Sequence, residues 1–177
     1  MKRWYIARSG IAGRGIRASV DIPQGGFILT ATGKLLRRTY DSPATSAVER
    51  LLYPLKKNVW LNPDIPIRFL NHSCNANAGF KTPLRMYACR PIKKGEEITV
   101  DFSTIDYVEF WKMPCKCGAK NCRKTIRSIQ FLSAGDYARY MPNIPLFLQR
   151  IYKRANPRKA PQRAGAVSTG RSQQRAA

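Results

Sequence analysis

The chain predicts a mainly β fold with some α-helix: small curved sheets, a cysteine-rich metal loop and a C-terminal helical segment. Three observations carry this. Short apolar runs broken by Gly and Pro turns fill residues 3–38 and 84–102. Three cysteines crowd into residues 115–122, and apolar residues at helical spacing appear only late, within 127–154.

Each element follows from its local composition. Residues 3–38 read as short strands, with turns at Gly13-Arg14-Gly15 and at Pro23-Gln24-Gly25-Gly26. Residues 43–53 predict a short helix, with Pro43 near its start and Ala, Val and Leu after it. Residues 58–70 read as extended, broken by Pro63 and Pro66. Residues 84–102 predict a hairpin: Leu84 to Ile92, a turn at Lys93-Lys94-Gly95, then Glu97 to Phe102. Pro145 suits a helix start, with Phe147, Leu148, Ile151 and Tyr152 as one stripe behind it. From Ala155 onward no acidic residue and no periodicity occurs, which predicts a disordered basic tail.

Charge narrows the partners. The 177 residues hold 32 Lys plus Arg against 10 Asp plus Glu, a formal +22. Such a field attracts polyanions, so nucleic acid or a nucleoprotein is the expected partner. No apolar run is long enough to span a membrane, and none is expected. The apolar stretch after Met1 is too short for a signal peptide, which predicts a cytosolic or nuclear setting.

The five cysteines are Cys74, Cys89, Cys115, Cys117 and Cys122. An odd count without a secretion signal argues against a disulfide framework. Cys115-Lys-Cys117-Gly-Ala-Lys-Asn-Cys122 offers three thiolates from one tight loop, and Gly118 permits the bend. Zinc takes four ligands at tetrahedral corners. Spacing leaves the fourth open between Cys74, Cys89 and the lone His72. Lys116, Lys120, Arg123 and Lys124 favour the thiolate form.

Arg68-Phe-Leu-Asn-His-Ser-Cys74 is similar to the Arg-Phe-Ile-Asn-His-Ser-Cys signature of SET domains. Three more elements stand in that family's order. Gly13-Arg-Gly-Ile-Arg-Ala18 resembles its N-terminal Gly-x-Gly element. Gly95-Glu-Glu-Ile-Thr-Val-Asp-Phe102 resembles Gly-Glu-Glu-Leu-Thr-Tyr-Asp-Tyr. Cys115 to Arg123 resembles the post-SET zinc loop. The resemblance covers roughly residues 3–127 and divides the chain into a SET domain over 1–110, a zinc loop over 111–127, a helical extension over 128–154 and the tail over 155–177.

The resemblance implies small sheets around a knot-like crossing, in a lysine methyltransferase that uses S-adenosylmethionine and Zn2+. It implies that Arg14 and Gly15 offer backbone groups to the cofactor, that Asn71 bonds its amino-acid part and that His72 meets the adenine through backbone atoms. It also implies that Cys74 joins Cys115, Cys117 and Cys122 on one structural zinc. Cys89 then reads as a buried strand residue.

One position departs from the pattern. The tyrosine that orients the amine in the family falls on Phe102, which keeps a ring against cofactor and substrate but has no hydroxyl. Tyr107, five residues on, and Tyr87, on the facing arm, are the substitutes that sequence offers; Val100 also makes the wall smaller. Two functions follow. One is a protein-lysine N-methyltransferase acting on a basic, nucleic-acid-associated protein. The other is a catalytically weak, zinc-stabilised module that binds nucleic acid or chromatin. The expected location is the nucleoid in a microbe or chromatin in a nucleus.

Overall fold

The computed structural model describes residues 2–39 and 52–157. The helix expected over 43–53 falls almost wholly outside them, as does the tail from residue 158; Tyr53, at the helix's expected end, lies in a strand.

The sequence pattern of short alternating runs becomes twelve strands and two helices among the described residues. β1 (Trp4–Arg8) and β2 (Arg14–Ala18) form an antiparallel hairpin with Ile6 opposite Ile16. Gly13 closes it at φ +50, a left-handed conformation that costs glycine little. β3 (Phe27–Thr30) follows the Pro23–Gly26 turn, where Gly26 N–H donates to the Pro23 carbonyl at 2.9 Å. β4 (Gly33–Arg37), β5 (Tyr53–Lys56) and β6 (Val59–Pro63) make a separate antiparallel sheet in the order β4-β6-β5. A short 3-10 turn at Ile67–Phe69 then leads into β7 (Asn71–His72).

β8 (Ala78–Thr82), β9 (Arg85–Ala88) and β10 (Glu97–Val100) complete the main sheet, ordered β1-β2-β10-β8-β9-β3. The hairpin expected over 84–102 does not form. β9 pairs with β8 and β3, whereas β10 pairs with β2, β7 and β8. The reason is burial: Ile98, Thr99 and Val100 are 0%, 5% and 0% exposed, so β10 is a central strand enclosed on both faces. Ile22 and Ile92 bridge the two Gly-turn segments instead.

The core gathers around β10. Ile16, Met86, Ile92, Ile98 and Val100 are fully buried in one cluster with Phe80 and Leu29. Each such side chain stabilises by roughly 1.5–3 kcal/mol relative to an exposed one. β11 (Lys112–Pro114) and β12 (Thr125–Arg127) form a small hairpin with the cysteine loop inserted at its tip.

The helical character expected over 127–154 resolves into a 3-10 turn at Ile129–Phe131 and two helices. α1 (Ala134–Tyr140) starts at Ser133, whose Oγ accepts from Asp136 N–H. α2 (Leu146–Ala155) starts after Pro145 as the sequence suggested, and buries Leu148 and Tyr152. Tyr152 stacks on Tyr137 of α1 with ring centroids 3.8 Å apart. No helix is long and apolar enough to cross a membrane among the described residues.

Candidate active site and metal centre

Three separate motifs meet on β10. On one side Glu97 and Ile98 pair with Arg17 and Ile16 of β2. On the other, Thr99 and Val100 run parallel to Asn71 and His72 of β7. A parallel pair needs a long connection, and β8 and β9 supply it between β7 and β10. Residues 13–18, 71–72 and 97–102 are thereby brought side by side.

Side chains then fix the β1–β2 turn. Ser9 Oγ donates to the Glu97 carboxylate at 2.7 Å. Asn71 Nδ2 lies 2.8 Å from Glu97 Oε1, 3.1 Å from the Ala12 carbonyl and 3.1 Å from the Arg14 carbonyl. Gly15 packs so closely that a Cβ there would run into the Glu97 carboxylate. Arg14 is exposed, with its guanidinium carbon 4.7 Å above the Phe69 ring. Arg14, Gly15 and Asn71 thus share one edge. Glu97, which sequence reasoning passed over, anchors it.

A cavity of about 260 Å³ opens beside Asn71 and Phe102. Its wall is mostly apolar, with Ile67, Leu70, Phe80, Ile105 and Trp111. Tyr53 also lines it, and the Tyr53 hydroxyl is buried with no hydrogen-bond partner. Burial pushes that phenol well above its ordinary value, so it stays neutral. Sequence reasoning missed Tyr53 because it stood at the end of an expected helix. Tyr107 and Tyr87 sit elsewhere. The Tyr107 hydroxyl accepts from Asn58 N–H at 3.0 Å and its ring stacks on Trp60. Tyr87, on β9, packs edge-on against Phe27.

His72 joins the cavity to the cysteines. Its Nδ1 accepts from Phe102 N–H at 3.1 Å, and its ring lies 5.4 Å from the Phe102 ring. Its Nε2 faces Cys74 Sγ at 3.3 Å. Burial, with Arg123 nearby, lowers the imidazole to about 4. A neutral ring that accepts at Nδ1 carries its proton at Nε2. His72 therefore donates to the Cys74 sulfur and has no lone pair left for a metal.

The ligand atoms of His72, Cys74, Cys115 and Cys117 all lie within 4.8 Å of one another. Cys122 packs against the same cluster, 3.5 Å from the Cys115 carbonyl. All five cysteines are free thiols. Main-chain N–H groups point at the sulfurs: Cys74 N–H to Cys117 at 3.4 Å and Arg123 N–H to Cys74 at 3.4 Å. Burial raises Cys74 and Cys115, whereas at Cys117 the N–H donors outweigh burial and bring the thiol down to about 7. A compact set of four sulfurs with N–H donors suits a soft-ligand, four-coordinate cation. Cys89 lies apart, where Asn143 Nδ2 donates to it at 3.3 Å.

The cluster also holds the cavity wall. Trp111 packs both on Cys74, Cys115 and Ile126 and on Trp60 and Val108.

The SET domain family model matches residues 13–103. The chain belongs to the SET-domain family. A histone-lysine N-methyltransferase, H3 lysine-36 specific, from Debaryomyces hansenii is 31% identical over 67% of this chain and 18% of its own length. The histone-lysine N-methyltransferase trithorax of Drosophila virilis is 31% identical over 67% of this chain and 3% of its own. The chain thus spans less than a fifth of these relatives. Among solved structures, the methyltransferase domain of human histone-lysine N-methyltransferase SETMAR superposes with a TM-score of 0.56 at 22% identity, over 72% of this chain and 59% of that one. KRYPTONITE in complex with mCHG DNA and SAH gives 0.54 at 22%, over 69% and 28%. These two likenesses concern the SET fold, which the sheet order above displays.

Proposed function

We propose that this SET-domain chain is a protein-lysine N-methyltransferase that uses S-adenosylmethionine. One observation carries the reading: the Arg14–Gly15 turn, Asn71 and Phe102 converge on β10 beside a mostly apolar cavity lined by the Tyr53 hydroxyl. Arg14, Gly15 and Asn71 would hold the cofactor's polar end, with His72 and Phe102 beside it. The fit is supported by the main-chain carbonyls of Ala12 and Arg14, which gather at Asn71 and can take an ammonium group. Bound there, the cofactor supplies an activated sulfonium methyl.

The chain's own residues do the rest. A lysine amine is neutral in on the order of one molecule in a thousand or fewer at pH 7. An apolar channel disfavours its charged form and excludes water. The Tyr53 hydroxyl, unpartnered in the cavity wall, is the group we assign to orient the amine where Phe102 has none. Zinc on Cys74, Cys115, Cys117 and Cys122 would be structural, with all positions closed by protein. Its role would be to hold Trp111 against the cavity.

We place the substrate among basic proteins carried on nucleic acid. A +22 chain repels a free cationic tail, and a polyanion brings the two together. The histone-methyltransferase relatives support chromatin as the setting if the source is eukaryotic. Phe102 favours the second reading, a binding module of little activity. Calorimetric titration of S-adenosylmethionine into the zinc-loaded protein separates them. Micromolar binding, followed by transfer of labelled methyl to core histones, supports the enzyme. A folded protein that binds no cofactor supports the module.

A further inference from the structure

We propose that Asp106 makes the cavity beside Phe102 a seat for an alkylammonium head, and so selects lysine over neutral chains of the same length. This rests on the methyltransferase reading for its biological substrate, but the site itself stands on the cavity.

Asp106 is the acidic side chain among the eleven that line this cavity. Its neighbours there are Tyr53, Ile105, Trp111 and Phe102, a wall that suits a methylene chain. The carboxylate is held in place. Asp106 Oδ1 accepts from Val108 N–H at 2.7 Å, and the Asp106 carbonyl accepts from Ile129 N–H at 2.9 Å. A carboxylate has about four acceptor sites, so main-chain donors leave acceptor capacity unused.

No cation pairs with it among the described residues. The other charged residue on the wall, Arg68, turns its guanidinium to the Pro63 carbonyl at 2.6 Å and to Asn62 Oδ1 at 2.9 Å. An enclosed acid without a cationic partner is costly unless a ligand supplies one. Burial accordingly lifts Asp106 to about 7. In a chain with 32 basic residues, a local acid also offsets the repulsion that a lysine meets on approach.

The plain structural role is the turn: Asp106 caps Val108. Asp106→Asn keeps an acceptor oxygen for that cap and removes the charge. The test uses the full, zinc-loaded chain at pH 8, with n-butylammonium and n-butanol as probes followed by NMR. Wild type is expected to bind the ammonium saturably at the cavity, and Asp106→Asn at least tenfold more weakly, with butanol the same in both. No ammonium binding to wild type, or equal binding to Asp106→Asn, overturns the proposal. S-adenosylmethionine affinity is measured on both proteins. Cofactor binding without ammonium selectivity removes the Asp106 seat and leaves the methyltransferase reading. Ammonium selectivity without cofactor binding removes that reading and leaves the seat.

Discussion

Arg123 Nη2 lies 2.6 Å from Asp101 Oδ1, and this pair ties the cysteine loop to the strand that carries the cofactor motifs. Asp101 directly follows β10 and is wholly buried; Arg123 directly follows Cys122 and is 23% exposed. Asp101 also caps Ser103 N–H at 3.0 Å. Its second oxygen and the Arg123 Nε have no partner, so the pair's own bond is what satisfies both charges. Removing one partner of a buried pair costs about 3–5 kcal/mol, because the other charge is stranded. Arg123→Met is therefore expected to lower unfolding free energy by about 3 kcal/mol, read by denaturant titration of the zinc-loaded protein. A loss under 1 kcal/mol would mean that Asp101 is neutral in the fold.

The cysteine set predicts metal content. Elemental analysis is expected to find one zinc per chain, and Cys74→Ser or Cys122→Ser to lose it. Cys89→Ser, remote from the cluster and bonded to Asn143, is expected to keep it. Chelation should loosen residues 111–127 and Trp111 with them, visible as a shift in tryptophan emission. Retention of zinc by Cys122→Ser would hand the fourth position to His72 and overturn the tautomer argument.

The two aromatic residues of the cavity make opposite predictions. Phe102→Tyr restores an oriented hydroxyl and is expected to raise methyl transfer roughly tenfold or more; an oriented donor is worth about 10²–10³ in rate. Tyr53→Phe is expected to lower it by about 10²-fold with little change in cofactor affinity. If Tyr53→Phe transfers methyl as well as wild type, the hydroxyl comes from elsewhere, and Tyr107 becomes the next candidate.

Asp106 gives a pH dependence of stability. Its carboxyl is raised from 3.8 to about 7 by burial, so the folded state holds the proton more tightly than the unfolded chain. Stability from this group is full below about pH 4 and falls as pH rises toward 7. Asp106→Asn removes that loss, so its melting temperature should exceed wild type at pH 8 and match it near pH 4. A variant no more stable at pH 8 than wild type would show that the carboxylate is already satisfied. Activity and stability are then opposed at one residue.

The basic C-terminal segment, with Arg158, Lys159, Arg163, Arg171 and Arg175, is expected to add bonds to phosphate. Deleting residues 158–177 leaves α2 and the Asn156 hydrogen bonds to Gln130 and Tyr152 intact. It should weaken DNA binding and flatten the dependence of affinity on salt, by about 0.9 for each phosphate that the tail neutralises. An unchanged slope would move the polyanion site onto the folded surface.

By itself the sequence determined the family, the mainly β class, the Pro145 helix start and the residues with chemical capacity. Those are local properties: motif order, turn glycines, periodicity and thiol spacing. Only the tertiary structure decided what those residues face. The expected hairpin over 84–102 was wrong because pairing depends on which strand is enclosed, and β10 is buried between β2 and the β7–β8 side. Tyr53 and Asp106 stand far apart in the chain, and nothing in their local sequence marks either. They line one cavity because β5 and the segment after β10 are brought together by long-range packing, which no short window of sequence contains.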